Sequence, residues 1–472
     1  MKSLNTDLCV IGAGSGGLSV AAGAARMGAR VVLVERAKMG GDCLNYGCVP
    51  SKALIAAGHA AHVVRTSAKF GVNGHEPAID FTKVHDHVHG VIATIAPHDS
   101  VERFTALGVD VVQAPARFID AHTVEAGDRR ITARRFVIAT GSSPAIPDIA
   151  GLAEVPYLTN ETVFDLRERP EHLVVIGGGP IGSELAQAHR RLGARVTMVV
   201  RGRLLPRDEP EAAAVVAKRL GDEGIDVREH TTPSAIVRQG NGIGVQLLGA
   251  PEGTIAGSHL LVAVGRRPNI GALQLEKAGI RVNDRGIMVD ARLRTSNRRV
   301  FAIGDVLGGP QFTHVASYHA GIVIRSALFA LPARVDHRAV PWVTYTDPEL
   351  ARVGPTESEA RLLDSRIRAL TWSFSENDRA QTERDTEGFA KVLVGAKGRI
   401  VGATIVGPRA GELILPWVLA IKRRMRIGAL ADVIVPYPTL SEVSKRAAGS
   451  YYSDALFSAR TRRIVRLLQR LP

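Results

Sequence analysis

Two cysteines, Cys43 and Cys48, stand with four residues between them in the stretch GGDCLNYGCVPSK (residues 40–52). The chain of 472 residues holds only three cysteines in all. The pair can be a metal site, a redox couple or two small core residues. A zinc site needs two further ligands, and only His59 and His62 are near in sequence; no resident metal is expected. In a regular helix two residues five positions apart are too far to bridge, so a disulfide demands a distorted first turn. Gly47 before Cys48 and Pro50 after it are the residue types that permit one. A helix start also favours thiolate. Cys9 falls inside an apolar run and reads as core.

Chemistry of this kind needs a scaffold. Residues 6–36 read strand–helix–strand: TDLCVIG, SGGLSVAAGAARMG, ARVVLVE. Residues 171–201 repeat the pattern as HLVVIG, PIGSELAQAHRRLG and ARVTMVVR. Further strand ends recur at 135–141, 260–265 and 298–305. Pro-rich breaks at 144–147 and 332–341 read as joints. The last stretch alternates strands (AKVLVGAKGRIVGATIVG) with helices (AGELILPWVLAIKRR) and has no phosphate loop, so it reads as a domain of another kind.

The first loop, GAGSGG, places Gly12 at a tight turn, Gly14 where backbone meets a pyrophosphate, and Gly17 where helix packs on strand. Glu35 ends the next strand, where an acid can hold a ribose diol. The second loop, GGGPIG, repeats this with Gly177, Gly179 and Gly182. Here Val200 takes the place of the acid, and Arg201 and Arg207 follow. Guanidinium groups bind a 2′-phosphate that a carboxylate repels, which points to NADPH over NADH. Two such loops in one chain suit a held flavin dinucleotide, FAD, and an exchanging nicotinamide.

Composition excludes several classes. Three cysteines make no secreted disulfide framework. The net charge is +14, but the basic residues are mostly Arg, and no basic cluster is interleaved with aromatics, which argues against nucleic acid. The apolar N-terminal run contains too many glycines for a signal peptide. No window of 18 residues is apolar throughout, and a cytoplasmic protein is expected. The tail YYSDALFSARTRRIVRLLQRLP carries Arg460, Arg462, Arg463, Arg466 and Arg470 among Leu and Val. It reads as a terminal helix docked on the body, or as a peripheral contact with an anionic membrane surface.

The cysteine segment, with GAGSGG, the ATG at 139–141, GGGPIGSE, VGRRPN at 264–269, AIGD at 302–305, TDPELARVG at 346–354 and PTLSE at 438–442, resembles the flavin disulfide reductases, the group I pyridine nucleotide-disulfide oxidoreductases. The resemblance covers the whole chain. It implies an α/β fold with two Rossmann-like FAD- and NAD(P)-binding domains plus an α+β C-terminal dimerisation domain. The expected division is 1–150 with 280–340 for FAD, 151–279 for NADPH, and 341–472 for the interface of a homodimer. It implies that Cys43 and Cys48 form a redox disulfide, Cys48 beside the flavin and Cys43 attacking the substrate. Lys52 would lie near the flavin with Glu184 as its partner. Asp42, Thr140, Gly141, Gly265, Gly304 and Asp305 would contribute to the cofactor sites.

Three departures bear on the substrate. The family's reductases carry His-Pro-Thr-x-x-Glu near the C-terminus, whose histidine shuttles a proton. This chain has Tyr437, with Glu442 kept. A phenol of pKa near 10 is no base at neutral pH. Mercuric reductases resemble the chain here, in the Arg201…Arg207 spacing and in the QF of QFTHVA (311–316). Their C-terminal cysteine pair has no counterpart, since no cysteine follows Cys48. His314, at the start of a helix that begins similarly in dihydrolipoamide dehydrogenases, is a second candidate for proton chemistry. Pro180 replaces a gating tyrosine, which implies NADPH oxidase or quinone reductase activity. The substrate expected is a small-molecule disulfide or a thiol-bound metal ion. The rivals are a dihydrolipoamide dehydrogenase and an electron-relay subunit serving a membrane or lipoyl-bearing protein.

Overall fold

The computed structural model describes residues 1–248 and 253–471. The chain divides into two compact units, one of residues 1–201 with 230–336 and one of 202–229 with 337–472.

In the first unit β1 (Lys2–Ile11) leads into helix α1 (Ser15–Arg26) and β2 (Val31–Glu35). Strand β1 lies parallel between β2 and Arg129–Ile138, with Ile11 opposite both Val34 and Ile138. The phosphate loop therefore leaves the carboxyl edge of the sheet, where ligands of such folds bind. Val109–Gln113 and Val300–Ala302 add further parallel strands, and Ala116–Phe118 and Thr123–Ala126 an antiparallel extension. Every residue of β2 is buried, as expected of a parallel strand covered on both faces. Cys9 is fully buried among Phe136, Ile138 and Val34, as its apolar setting in sequence suggests, and burial pushes its thiol up to about 12.

Two helices follow β2: α2 (Gly41–Asn45) and the long α3 (Cys48–Thr66). Helix α3 buries Pro50, Ala53, Leu54, Gly58 and Ala61 along one stripe. A second parallel sheet is built from β3 (His172–Ile176), followed by α4 (Pro180–Arg191), β4 (Arg195–Val199) and the strand His259–Val262. Gly58 permits the close approach of α3 to α4: an added Cβ there would sit 3.1 Å from the Ala188 carbonyl oxygen. A three-stranded antiparallel sheet (Thr232–Gln239, Gly242–Leu248, Thr254–Gly257) and helix α5 (Thr313–Ala327) complete the unit.

The second unit is a five-stranded antiparallel sheet with the order Pro341–Thr344, Glu349–Val353, Ile400–Gly407, Phe389–Val394, Arg368–Ser373. Its core gathers around the fully buried Trp417, whose indole N–H donates to the Ser444 hydroxyl. Buried Lys391 is paired with Glu209, Glu211 and Glu357, as a buried charge requires. The stretch AGELILPWVLAIKRR is two helical pieces, Ala410–Leu413 and Leu415–Lys422, with Pro416 at the start of the second. Helix α6 (Glu442–Ser450) packs on the same core. The terminal helix α7 (Ala459–Leu468) has no buried residue. The expectation that it docks on the body of its own chain is thereby corrected: among the described residues Ile464, Val465, Leu467 and Leu468 all remain exposed. Pro472 lies outside the described residues. Among the described residues no helix is long and apolar enough to cross a membrane.

Candidate functional site

The chain between Cys43 and Cys48 is not a regular helix. Helix α2 ends at Asn45, Tyr46 and Gly47 leave helical geometry (Gly47 φ −125, ψ −113), and α3 begins at Cys48. A Cβ at Gly47 would meet Asp42 Oδ2 at 2.8 Å and the Asp42 carbonyl oxygen at 3.0 Å. Only glycine lets the chain turn back so closely. The break brings the sulfurs together: both are free thiols, and they hydrogen-bond to one another.

Their environments push the pair apart. The hydrogen bond from Cys43 lowers the Cys48 thiol to about 6, assisted by the Thr313 hydroxyl at 3.3 Å and by the Lys52 charge, against burial and Asp42. Cys43 moves far upward, chiefly because it is the donor in that bond and is buried. The pair thus holds one proton at neutral pH, on Cys43, beside a thiolate at the first residue of α3.

Lys52, one turn along α3 from Cys48, donates to Glu184 Oε2 at 2.8 Å. Glu184 is buried on α4, so the glycine-mediated approach of the two helices sets this pair. Asp42 is tied to Arg266 at 3.0 Å and accepts from the Asn160 amide at 3.2 Å. Arg266 donates to the Ser142 hydroxyl at 2.7 Å, and that hydroxyl donates to Asp305 at 2.7 Å. Burial pushes the Asp305 carboxyl upward, opposed by Ser142 and Arg266. Thr140 and Asn269 exchange hydrogen bonds at 2.8 and 3.0 Å, and Asn269 N–H donates to the Gly141 carbonyl. Gly141, Gly265 and Gly304 all take positive φ (66°, 135° and 71°), which glycine alone adopts freely.

The phosphate loops carry the fit test for the dinucleotides. Gly12 and Gly17 are demanded from inside: a Cβ would stand 2.4 Å from the Ala139 carbonyl oxygen and 1.8 Å from the Gly12 carbonyl oxygen, respectively. Gly177 and Gly182 repeat this, at 2.3 Å from Ala263 O and 2.4 Å from Gly177 O. Gly14 and Gly179 are different. Their backbones are extended, a conformation open to any residue. A Cβ at Gly14 would meet only the Gly41 Cα, at 4.0 Å, and at Gly179 nothing within 4 Å. Nothing internal requires glycine there, so the bare backbone serves a ligand. Neither helix start has a side-chain cap, which leaves first-turn N–H groups for an anion. The residues fit a pyrophosphate at both loops.

Glu35 is buried and accepts from the Ala13 N–H at 2.6 Å and the Ala37 N–H at 2.8 Å. Two backbone donors fix the carboxylate and leave further lone pairs for a diol. Val200 is buried with its methyls under Gly178, where a Cβ would meet Val200 Cγ1 at 2.4 Å. Arg201 is exposed just beyond β4, and Arg207 is exposed in the second unit.

Sequence reasoning gave no role to Thr313, Ser142, Asn160 or Arg266, although Thr313 and Arg266 both lay in quoted motifs. The structure brings Thr313 to the thiols. His314, the next residue, is exposed with its ring stacked on Phe312 at 5.2 Å. His319 is buried and its Nδ1 accepts from the Gly304 N–H at 3.2 Å, a structural bond. In the second unit the exposed Tyr437 donates its hydroxyl to Asp378 at 2.9 Å, and this bond raises the phenol above its ordinary value. Glu442 is the first residue of α6.

The chain fits the family model described as pyridine nucleotide-disulphide oxidoreductase over residues 6–320, and that family's dimerisation domain over 340–448, which supports a homodimer. A mercuric reductase of Streptomyces lividans is 38% identical over 458 residues, spanning 95% of this chain and 96% of that protein. A dihydrolipoyl dehydrogenase of Geobacillus stearothermophilus is 38% identical over 456 residues, spanning 94% and 96%. Among solved structures, the HOCl-induced flavoprotein disulfide reductase RclA of Escherichia coli, as a Cu(II) complex, superposes with TM-score 0.84 at 29% identity over 93% of this chain and 99% of its own. LpdA of Mycobacterium tuberculosis gives TM-score 0.86 at 28% identity over 94% and 99%. On these similarities the chain belongs to the pyridine nucleotide-disulphide oxidoreductase family, FAD-dependent enzymes that use NAD(P)H.

Proposed function

We propose that this flavoenzyme uses NADPH to reduce a thiol-linked substrate, a disulfide or a thiol-bound metal ion, through a Cys43–Cys48 disulfide. The observation that carries the reading is the pair of free thiols on either side of the helix break, with the Thr313 hydroxyl 3.3 Å from Cys48 Sγ; Cys43 and that hydroxyl both favour thiolate at Cys48. FAD, when bound, relays the electron pair of a nicotinamide hydride to that disulfide. In the same reading 1–150 with 280–340 forms the FAD domain, 151–279 the NADPH domain and 341–472 the interface.

The chain's own groups then divide the work. Gly14 and the α1 start receive the FAD pyrophosphate and Glu35 its ribose; Gly179 and the α4 start receive the NADPH pyrophosphate. Arg201 and Arg207 are the candidates for its 2′-phosphate, and no carboxylate stands at Val200 to repel it. Glu184 holds the Lys52 ammonium in place. Cys48 is the flavin-side sulfur held as thiolate once the disulfide is open, and Cys43, released by that opening, then attacks the substrate.

Tyr437 inclines the reading towards the metal ion. Its phenol, held protonated by Asp378, cannot take up the proton of an attacking thiol. A soft metal ion needs thiolate donors more than a proton shuttle. The mercuric reductase relatives support this branch. The second reading, dihydrolipoyl dehydrogenase, draws on relatives of equal identity.

The test is anaerobic NADPH titration with thiol counting, then a panel of acceptors: thiol-bound mercuric ion, lipoamide, other small disulfides, a quinone and oxygen. Two thiols per chain should appear on reduction, and mercuric ion should outpace every disulfide. Faster turnover of lipoamide with NADH than of mercuric ion with NADPH would hand the assignment to the second reading.

A further inference from the structure

Helix α7 buries none of its ten residues, yet its two faces are sharply different. At about 100° per residue, Ile464, Leu467 and Leu468 share an arc of about 100° on one side, and Arg462, Arg463 and Arg466 a similar arc opposite. The three apolar side chains are 49%, 67% and 55% exposed. Phe457 before the helix and Leu471 after it are exposed as well. Single apolar residues on a surface need no explanation, whereas a contiguous stripe marks a contact. The charge is equally one-sided. Five arginines lie between 460 and 470, and no acidic residue follows Asp454, which itself lies 3.6 Å from Arg368. Arg462 donates to the Phe457 carbonyl and Arg466 to that of Arg462. These bonds occupy N–H groups and leave the positive charge uncancelled.

Charge restricts what covers such a face. A second copy of the tail would set five positive charges against five, and the whole chain is itself net positive, at +14. The dimerisation domain of the family ends at 448, before the tail begins. We propose that α7 lies flat on an anionic lipid bilayer as a peripheral anchor of the homodimer. Ile464, Leu467 and Leu468 enter the boundary of the acyl chains, while Arg462, Arg463, Arg466 and Arg470 meet the lipid phosphates. Arg460, at the first turn on the apolar side, reaches the headgroups by extending its guanidinium past its own alkyl stem. One helix of this length is a weak anchor, and the homodimer carries two. The inference is independent of which acceptor the cysteines reduce.

The experiment sediments the FAD-loaded dimer with vesicles of phosphatidylcholine, with and without phosphatidylglycerol. At about 0.15 M salt the anionic vesicles should bind at least about tenfold more protein than the neutral ones. Raising the salt to about 0.5 M should weaken that binding several-fold. Leu467→Gln with Leu468→Gln keeps every charge and should lower binding about tenfold. Arg462→Gln with Arg463→Gln and Arg466→Gln keeps the apolar stripe and should lower it at least as much. All five positions are exposed, so both variants should turn over soluble acceptors within about twofold of the native rate, which reports an intact fold. No binding to the anionic vesicles, equal binding to the neutral ones, or native binding by either variant would overturn the proposal. Conversion of the dimer to monomer by the leucine substitutions, without lipid, would also overturn it and give the face to a second copy of the chain.

Discussion

Gly12, Gly14 and Gly17 in one loop and Gly177, Gly179 and Gly182 in the other meet the same neighbours in the same order: a carbonyl of the adjoining strand, open space, and the carbonyl of the first glycine. The loops part company at the end of the next strand. In the first, a carboxylate reaches back to the N–H of Ala13. In the second, the matching strand end offers Val200, whose methyls fill the space beside Gly178, and the next polar group is the exposed Arg201. The repeated backbone is the part that makes a pyrophosphate site. The strand end then sets which sugar is recognised and how firmly. A carboxylate already pinned by two backbone donors loses little freedom on binding, which suits a resident cofactor. An exposed arginine must be ordered each time, which suits one that comes and goes.

The largest effect should come from making the first loop like the second. Glu35→Val removes two charge-assisted bonds, each worth about 1.5–3 kcal/mol, and strands the Ala13 N–H. Purified protein should lose most of its flavin, read from the ratio of flavin to protein absorbance. Full flavin content would show that the tethered carboxylate is not what separates the loops. The reverse exchange, Val200→Glu, should be smaller. The new carboxylate repels a 2′-phosphate and can accept from Gly178 as Glu35 does from Ala13. The ratio of kcat/KM for NADPH over NADH should fall about 10- to 100-fold, the range of one or two lost charged contacts. An unchanged ratio would locate nucleotide choice elsewhere. The smallest is Gly179→Ala. Its methyl enters open space on an extended backbone, so stability should stay within about 0.5 kcal/mol, while KM for NADPH rises several-fold. A fall in Tm with KM unchanged would mean that glycine serves the fold there.

Both strand–helix–strand units were legible because buried parallel strands and small-residue turns sit close together in sequence. The cysteine segment was legible for the same reason: Gly47 and Pro50 announced a break, and the structure puts it at Tyr46–Gly47. Long-range partners were not. Asp42, Ser142, Arg266 and Asp305 form one chain of contacts from four distant places, and nothing local in any of them signals the others. The start of α5 shows a finer limit. Successive residues of a helix point about 100° apart, so a pattern that finds the helix does not decide whether Thr313 or His314 faces the sulfurs. The tail shows another limit. Its arginine and leucine faces read as a docked helix or a membrane-surface contact, but periodicity shows that a face exists and says nothing of what covers it.

The interruption at Tyr46–Gly47 has a mechanical consequence. Because Cys43 and Cys48 ride on separate helical rods, a disulfide formed or opened between them, as proposed, would be taken up at the pivot. The nineteen residues of α3 would then have no need to break their hydrogen-bond ladder. The lysine one turn along that rod, and the carboxylate it grips, need not shift as the sulfurs open and close. A glycine beside Asp42, too cramped for even a methyl group, thus isolates the moving part of the machine from its frame.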